Sequence, residues 1–406
     1  MSAYPLVPLG DFCEIVSGAT PKTGVPEFWD GDIRWATPKD LSDLQGKCID
    51  DTPRKITEAG LRSCAASVLP EGSVLFSSRA PIGHVAINTV PMATNQGFKS
   101  LIPDRGRADA NYLYHWLKAH RSYLDSLGNG ATFKEVSKVV VSKVAVPLPP
   151  LDAQRYIAQV LDHVDGLRAK RRGALALLDD LAQSIFLDMF GTPDLAWPCV
   201  TVNDIAKDVK GSIRTGPFGS QLLHEEFVDS GVPVLGIDNA VTNEFAWQGR
   251  RFITEEKYKK LARYRVYPGD VLITIMGTCG RCAVVPDDIP IAINTKHLCC
   301  ITLEPSKCLP EFLHSYFLMH PGSLRYLRQT AKGAIMAGLN MALIKDLPIV
   351  LPPISEQRVF VDRVESAKKA KAANMAHLAE LDALFSSLQH RAFRGELWPY
   401  AAVPTA

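Results

Sequence analysis

Apolar residues along the chain follow two rhythms. Short runs such as Val74-Leu75-Phe76 and Val271-Leu272-Ile273, bounded by Gly, Pro and Asn, predict buried strands that follow turns. The stretches "DANYLYHWLKAHRSYLDSL" and "PEFLHSYFLMHPGSLRYL" predict helices with aromatics on one face. The second rhythm is longer. After Pro149-Pro150, the residues Ile157, Val160, Val164, Leu167, Ala174, Leu178, Leu181 and Ile185 recur at three- and four-residue steps, interrupted only at Arg171. After Pro352-Pro353 come Val364, Ala367, Leu378, Leu381, Phe385, Leu388 and Ala392, with Lys371 and Asn374 as polar breaks. That alternation predicts two long helices with a coiled-coil seam; a helix lying only on its own domain shows a wider stripe. Asp152 and Ser355 follow the proline pairs and are the expected N-caps.

Both rhythms occur twice, in the same order. Gly72 matches Gly269 and Gly83 matches Gly280 at an offset of 197, and Asn95 matches Asn294 at 199. "NYL" from Asn111 matches "EFL" from Glu311 at 200, and "PLPPLDAQR" (147–155) matches "VLPPISEQR" (350–358) at 203. A slowly drifting offset indicates two copies of one unit with small loop insertions. The expected layout is a globular domain over 1–150, a spacer helix over 151–191, a second domain over 192–350, and a second helix with a tail over 351–406. Strands followed by helices indicate an α+β fold. Helices of about 37 residues would each extend roughly 55 Å. Paired with each other they must run antiparallel, which places two similar domains at opposite ends of a spacer with pseudo-two-fold symmetry.

Composition narrows this picture only slightly. The chain is 47% hydrophobic and 22% charged, and no apolar run approaches the roughly 18 residues of a membrane span. The opening "MSAYPLVPLGDF" has no secretory pattern, so a cytoplasmic protein with reduced cysteines is expected. A formal charge of +2 neither demands nor excludes nucleic acid. No phosphate-binding G-x-x-x-x-G-K-[ST] loop, dinucleotide glycine pattern or [DNS]-P-P-[YFW] methyltransferase element is present, so no catalytic residue is assigned. Glu255-Glu256-Lys257 could be half of a nuclease metal site, but reads more simply as an exposed helix. Cys279 and Cys282, with Cys299-Cys300 further on, could suggest zinc. The matching Ile82 and Val85 in the first copy point instead to core packing, and no metal is expected.

Two similar units, each ending in a P-x-P-P-[LI]-x-x-Q-R corner and a long helix, resemble the specificity subunit of type I restriction–modification systems. The resemblance rests on "VPLPPLDAQR", "IVLPPISEQR", the opening "SGATP…WDGDIRWATPKDL", and the approaches Gly130 to Phe133 and Gly333 to Met336. The second unit departs from it at its start, with "KGSIRTGPFGSQL…SGVPVLGIDN". The resemblance implies a non-catalytic subunit whose two target recognition domains each contact half of a bipartite double-stranded DNA site. The helices would fix the gap and dock two methyltransferase subunits, and through them the restriction subunits. S-adenosylmethionine, ATP and Mg would belong to those partners.

Within the chain, matched positions should be scaffold and differing polar loop positions should be readers. That comparison nominates Ser78, Arg79, His84, Gln96, Lys99 and Lys134 in the first unit, with Thr20, Lys22 and Lys39 from its opening. In the second unit it nominates Thr278, Arg281, Thr295, Lys296 and His297, with Arg214, Thr215, Ser220 and Asn239. The basic clusters Arg168–Arg172 and Lys368–Lys371 are expected to be solvated, or else to attract DNA or acidic partners. Pro150, Asp152, Gln154, Pro353, Ser355 and Gln357 are expected to be architectural. Two alternatives stay open: a stand-alone DNA methyltransferase or nuclease, and a structural spacer that binds no DNA.

Overall fold

The computed structural model describes residues 4–397 except 80, 131–133, 193–195, 250 and 331–338. Phe133 and the stretch 333–336 lie outside the described residues. The chain forms two compact units, each discontinuous in sequence: Met1–Arg172 with Ala376–Ala406, and Gly173–Met375. Each unit therefore holds one globular domain and half of each long helix.

The first unit contains β1 (Leu6–Pro8), β2 (Cys13–Ser17), β3 (Trp29–Ala36), β4 (Cys48–Ile49), β5 (Lys55–Ile56), β6 (Val74–Phe76), β7 (Val85–Asn88), β8 (Ala93–Thr94), β9 (Lys99–Pro103) and β10 (Ala145–Pro147). They form sheets in the orders β2-β9-β6-β7-β4, β5-β3-β8 and β1-β10. The second unit contains β11 (Cys199–Thr201), β12 (Ile213–Thr215), β13 (Val232–Leu235), β14 (Phe252–Ile253), β15 (Arg265–Val266), β16 (Val271–Thr274), β17 (Cys282–Val284), β18 (Ala292–Asn294), β19 (Leu298–Ile301) and β20 (Pro348–Val350). Its orders, β12-β19-β16-β17, β14-β13-β18-β15 and β11-β20, repeat the first plan. Both units share the parallel pair β3–β8 or β13–β18 within mixed sheets.

Register corrects one sequence match. Ala36 faces Thr94 as Leu235 faces Asn294, so Asn294 corresponds to Thr94, and Asn95 to Thr295. The backbone agrees: the N–H of Asn95 donates to Ala36 O and that of Thr295 to Leu235 O, both at 2.9 Å. The shared letter Asn was one position out of step, because strand pairing rather than residue identity sets equivalence. The divergent openings also build the same turn. Thr37 N–H donates to Asp40 Oδ2 at 2.6 Å, and Gly236 N–H donates to Asn239 Oδ1 at 2.9 Å.

The long helices run over Leu151–Phe190 and Ile354–Arg394, 40 and 41 residues. They begin two residues earlier than those caps imply, so Asp152 and Ser355 are not N-caps. Each is the exposed second helical residue, where Asp152 faces the positive end of the helix dipole. Within each unit the two helix halves pair antiparallel. In the first, Arg168 Nε lies 2.6 Å from Asp382 and its guanidinium 4.3 Å over Phe385. In the second, Lys371 Nζ lies 2.8 Å from Asp179. Nearer the domains the helices enter the cores: Ile157, Leu161 and Phe393 pack with Tyr112 and Trp116, while Phe186, Phe190 and Phe360 pack with Phe312 and Tyr316. Burial of each such side chain stabilises by about 1.5–3 kcal/mol. Leu161 lies off the three-four seam yet is fully buried. The stripe is thus broad where a helix meets its domain and narrow midway, where Leu177 is 78% exposed.

Candidate nucleic-acid interface

In the first unit, β2, β3, β6 and β8 end, and β7 and β9 begin, at one edge of the sheets, because Ser17 pairs with Lys99, Phe76 with Val85 and Ala36 with Thr94. Four connections therefore converge there: residues 18–22, 37–40, 77–84 and 95–98. Gly18 is required, since a Cβ there would clash with Asn95 O, and one at Gly216 would clash with Asn294 O in the same way. The loop 77–84 is closed by a buried hydroxyl. Ser77 Oγ donates to Pro81 O and accepts from His84 N–H, both at 2.8 Å. Thr274 repeats this in the second unit, donating to Thr278 O at 2.5 Å and accepting from Arg281 N–H at 2.8 Å.

The clamp presents polar side chains at the edge. In the first unit Lys22, Lys39 and Gln96 are exposed, and the Thr20 hydroxyl donates to Gln96 Oε1. Arg79 and Lys99 share Glu135, at 3.7 and 2.9 Å. Lys134 is exposed and bonds Asp125 at 2.7 Å. Burial, then the nearby charges of Arg121 and Lys118, hold His84 below its ordinary pKa. In the second unit the edge carries exposed Thr278 and Arg281, with Thr215, Lys296 and His297 half-buried, while Ser220 is exposed further along the chain beside Gln221, whose side chain accepts from the Tyr264 hydroxyl. His297 is likewise held low, first by burial and then by Lys296 and Arg251.

Five nominated readers face inward. Ser78 is fully buried, its hydroxyl donating to Gly97 O at 3.1 Å; the structure matches it to buried Ile275. Asn239 is the turn residue equivalent to Asp40, and its amide nitrogen donates to Ala246 O at 2.8 Å. Arg214 is buried against Asp270 at 2.6 Å and also donates to Arg265 O. Thr295 is buried beneath the edge, and Lys99 is largely buried on Glu135. Strands place Arg214 and Lys99 on the core side, and turns or strand ends do the same for Ser78, Asn239 and Thr295; a polar group buried there must find a protein partner.

Signals missed in the sequence are Glu135, which orders two cations, and Arg251, which pairs with Asp238 beside exposed Trp247. Another is Lys47, which bonds Asp162 at 2.5 Å while His115 Nε2 lies 2.8 Å from the same carboxylate. These partners lie 36 to 115 residues apart or on separate loops. The basic clusters are partly committed within the helices: Arg168 to Asp165 and Asp382, Lys369 to Glu365, Lys371 to Asp179. Glu256 and Lys257 pair with Lys260 and Glu226, and burial pushes the Cys299 thiol up to about 12. Among the described residues no group of three or more His, Cys, Asp or Glu could hold a metal, and no helix is long and apolar enough to cross a membrane.

The corners are built alike. Gln154 Nε2 donates to Arg107 O and Pro149 O, and Oε1 accepts from Asp109 N–H, all at 2.9 Å. Gln357 donates to Lys307 O and Pro352 O at 3.1 and 2.9 Å and accepts from Leu309 N–H at 2.8 Å. Pro150 and Pro353 are exposed just before the helices.

A family model described as the type I restriction modification DNA specificity domain matches twice, over residues 1–175 and 207–381. The chain belongs to this family. Its two specificity domains make it a DNA-recognition subunit of the type I class. Among relatives, the MjaIX specificity subunit of Methanocaldococcus jannaschii is 37% identical over 182 residues, 44% of this chain and 42% of that protein, so the match spans under half of each. The EcoBI specificity subunit of Escherichia coli is 26% identical over 343 residues, 76% of this chain and 70% of that one. A solved chain from work on complex assembly and conformational transition of the type I system superposes with a TM-score of 0.60 at 19% identity, covering 97% of this chain and 98% of that one. The S subunit from M. genitalium gives 0.55 at 13% identity, covering 97% and 96%. These two likenesses establish the specificity-subunit fold.

Proposed function

We propose that the chain reads a bipartite duplex DNA site, one half with each sheet edge, and leaves catalysis to partner subunits. The observation that carries this reading is the duplicated edge: the same four connections, closed by the same buried hydroxyl, present different polar side chains in the two units. Two such edges suit two different half-sites, and Arg, Lys, Gln and Thr are the side chains that reach base edges and phosphates. Helices of 40 and 41 residues, about 60 Å each, supply a spacer longer than one turn of DNA.

The same helices, with Leu177 and Met375 exposed, are the surfaces offered to two methyltransferase subunits, and restriction subunits join through them. S-adenosylmethionine, ATP and Mg then act in those partners, in the cytoplasm. A gel shift of the assembled complex on its methylation site tests the reading. Adding one base pair to the gap, or exchanging either half-site, is expected to abolish specific binding. Indifference to both returns the chain to the role of a structural spacer, and S-adenosylmethionine binding by the chain alone would return it to that of a methyltransferase.

A further inference from the structure

The second unit holds a cavity of about 890 Å³ away from the reading edge, at the opposite ends of β12, β16 and β19. Both of its walls are peculiar to this unit. Asp104 N–H donates to Phe12 O as Glu304 N–H donates to Ile205 O, while Ile15 faces Leu101 as Ile213 faces Ile301. Between those fixed points the first unit has only Cys13 and Glu14, and the second has 206–212, an insertion that carries Lys207 and Lys210. Arg214 pins it by donating to Gly211 O at 3.2 Å.

The facing wall is 262–270, "ARYRVYPGD", matched to 65–73, "AASVLPEGS", by the Leu69–Met92 bridge, the Val266–Ala292 pair and the positive-φ glycines Gly72 and Gly269. Arg263, Tyr264, Arg265 and Tyr267 thus stand where the first unit has Ala66, Ser67, Val68 and Pro70.

Four cations line the cavity, Lys207, Lys210, Arg214 and Arg263, against the carboxylate of Asp270. That carboxylate is already engaged by Arg214 at 2.6 Å, Thr302 Oγ1 at 2.6 Å and Tyr267 N–H at 2.9 Å. Asp208 on the insertion and half-buried Glu304 are the nearby acids in sequence. Tyr267 is exposed on the cavity with the guanidiniums of Arg265 and Arg214 at 5.0 and 5.6 Å from its ring centre, and Arg263 lies 4.7 Å over Tyr264. Arg265 belongs to the same segment but lies behind the cavity lining, and its Nε is buried with no hydrogen-bond partner among the described residues. Cations interleaved with aromatic faces suit a planar base joined to phosphate, and the volume falls in the range of small-ligand sites, about 300–1,000 Å³.

We propose that this cavity binds a phosphate-bearing nucleotide, with the base against Tyr267 and the phosphates toward Lys207 and Lys210. The nucleotide could be free or an unpaired residue of a nucleic acid. Fluorescence anisotropy of the full-length chain, at low salt, with N-methylanthraniloyl-ATP and separately with labelled oligo(dT), decides between these sources. Saturable binding of at least one probe is expected, weakened about tenfold or more in K210E/R263E, whose side chains are both exposed and whose melting temperature should not change. Tyr267→Leu should also weaken it without altering charge. Binding of labelled ATP identifies a free nucleotide, and binding of oligo(dT) alone identifies nucleic acid. If neither probe saturates, or if K210E/R263E binds as tightly as the parent, the proposal is overturned. No bipartite duplex enters this assay, so its failure leaves the DNA-reading function untouched.

Discussion

The corners and the reading edges come from one duplicated plan, yet they differ between units to opposite degrees. At the corners, Gln154 and Gln357 make the same three hydrogen bonds to matched backbone groups. At the edges, Lys39 stands opposite Asp238, Arg79 opposite Met276, His84 opposite Arg281 and Gln96 opposite Lys296. A buried amide that satisfies backbone groups cannot be exchanged without orphaning them, whereas a side chain aimed at solvent can change at little cost to the fold. Similarity between the copies therefore marks architecture, and difference marks either recognition or a new local core.

The second category of difference is tested by the largest predicted effect. Arg214→Met should destabilise the second unit by about 3–5 kcal/mol, because it leaves Asp270 buried and unpaired. Unit-resolved hydrogen exchange should show the first unit, which has Val16 at that place, unaffected. Next, Gln154→Ala and Gln357→Ala should each cost about 2–3 kcal/mol in thermal melts of their own unit, with sequence preference unchanged. A Gln154→Ala complex that assembles normally but methylates a different sequence would break the comparison.

Asp162 distinguishes the units more gently. Burial raises its pKa, but His115 and Lys47 outweigh that and leave it below the ordinary carboxylate value. Its contribution is therefore present above pH about 4, the unfolded value, and is lost as pH falls through the lower folded value. Asp162→Asn should lower stability by about 1 kcal/mol at neutral pH and flatten the acid limb of a first-unit denaturation profile. Smallest in stability are Lys39→Ala and Arg281→Ala, expected within about 0.5 kcal/mol of the parent. Each should weaken DNA binding by the complex, and a residue that contacts only phosphate should lower the salt slope by about one unit.

Much of the frame was legible in the chain because its signals are local: the three-four seams, the proline corners and the turn glycines each act within a few residues. The helix starts shifted by two residues, since proline can occupy the flanking position and leave the next polar residue inside the first turn. The reading edge was only half legible. Gln96 and Arg281 could be picked out by comparing copies, and Lys22 and Lys39 from the opening of the first unit, and all four are exposed. Ser78, Arg214 and Asn239 could not be told from them, because each looks like an ordinary polar residue in a loop or short strand.

The sequence by itself determined the duplication, the α+β class, the two long helices and the corners that launch them. Only the tertiary structure decided which polar side chains look outward. That choice is made by pairing between strands far apart in the chain: Thr215 lies opposite Cys299 and Leu235 beside Asn294, and this register fixes which face each Cβ takes. The same distance in sequence hid the partners that anchor the inward set, Asp270 for Arg214 and Glu135 for Lys99.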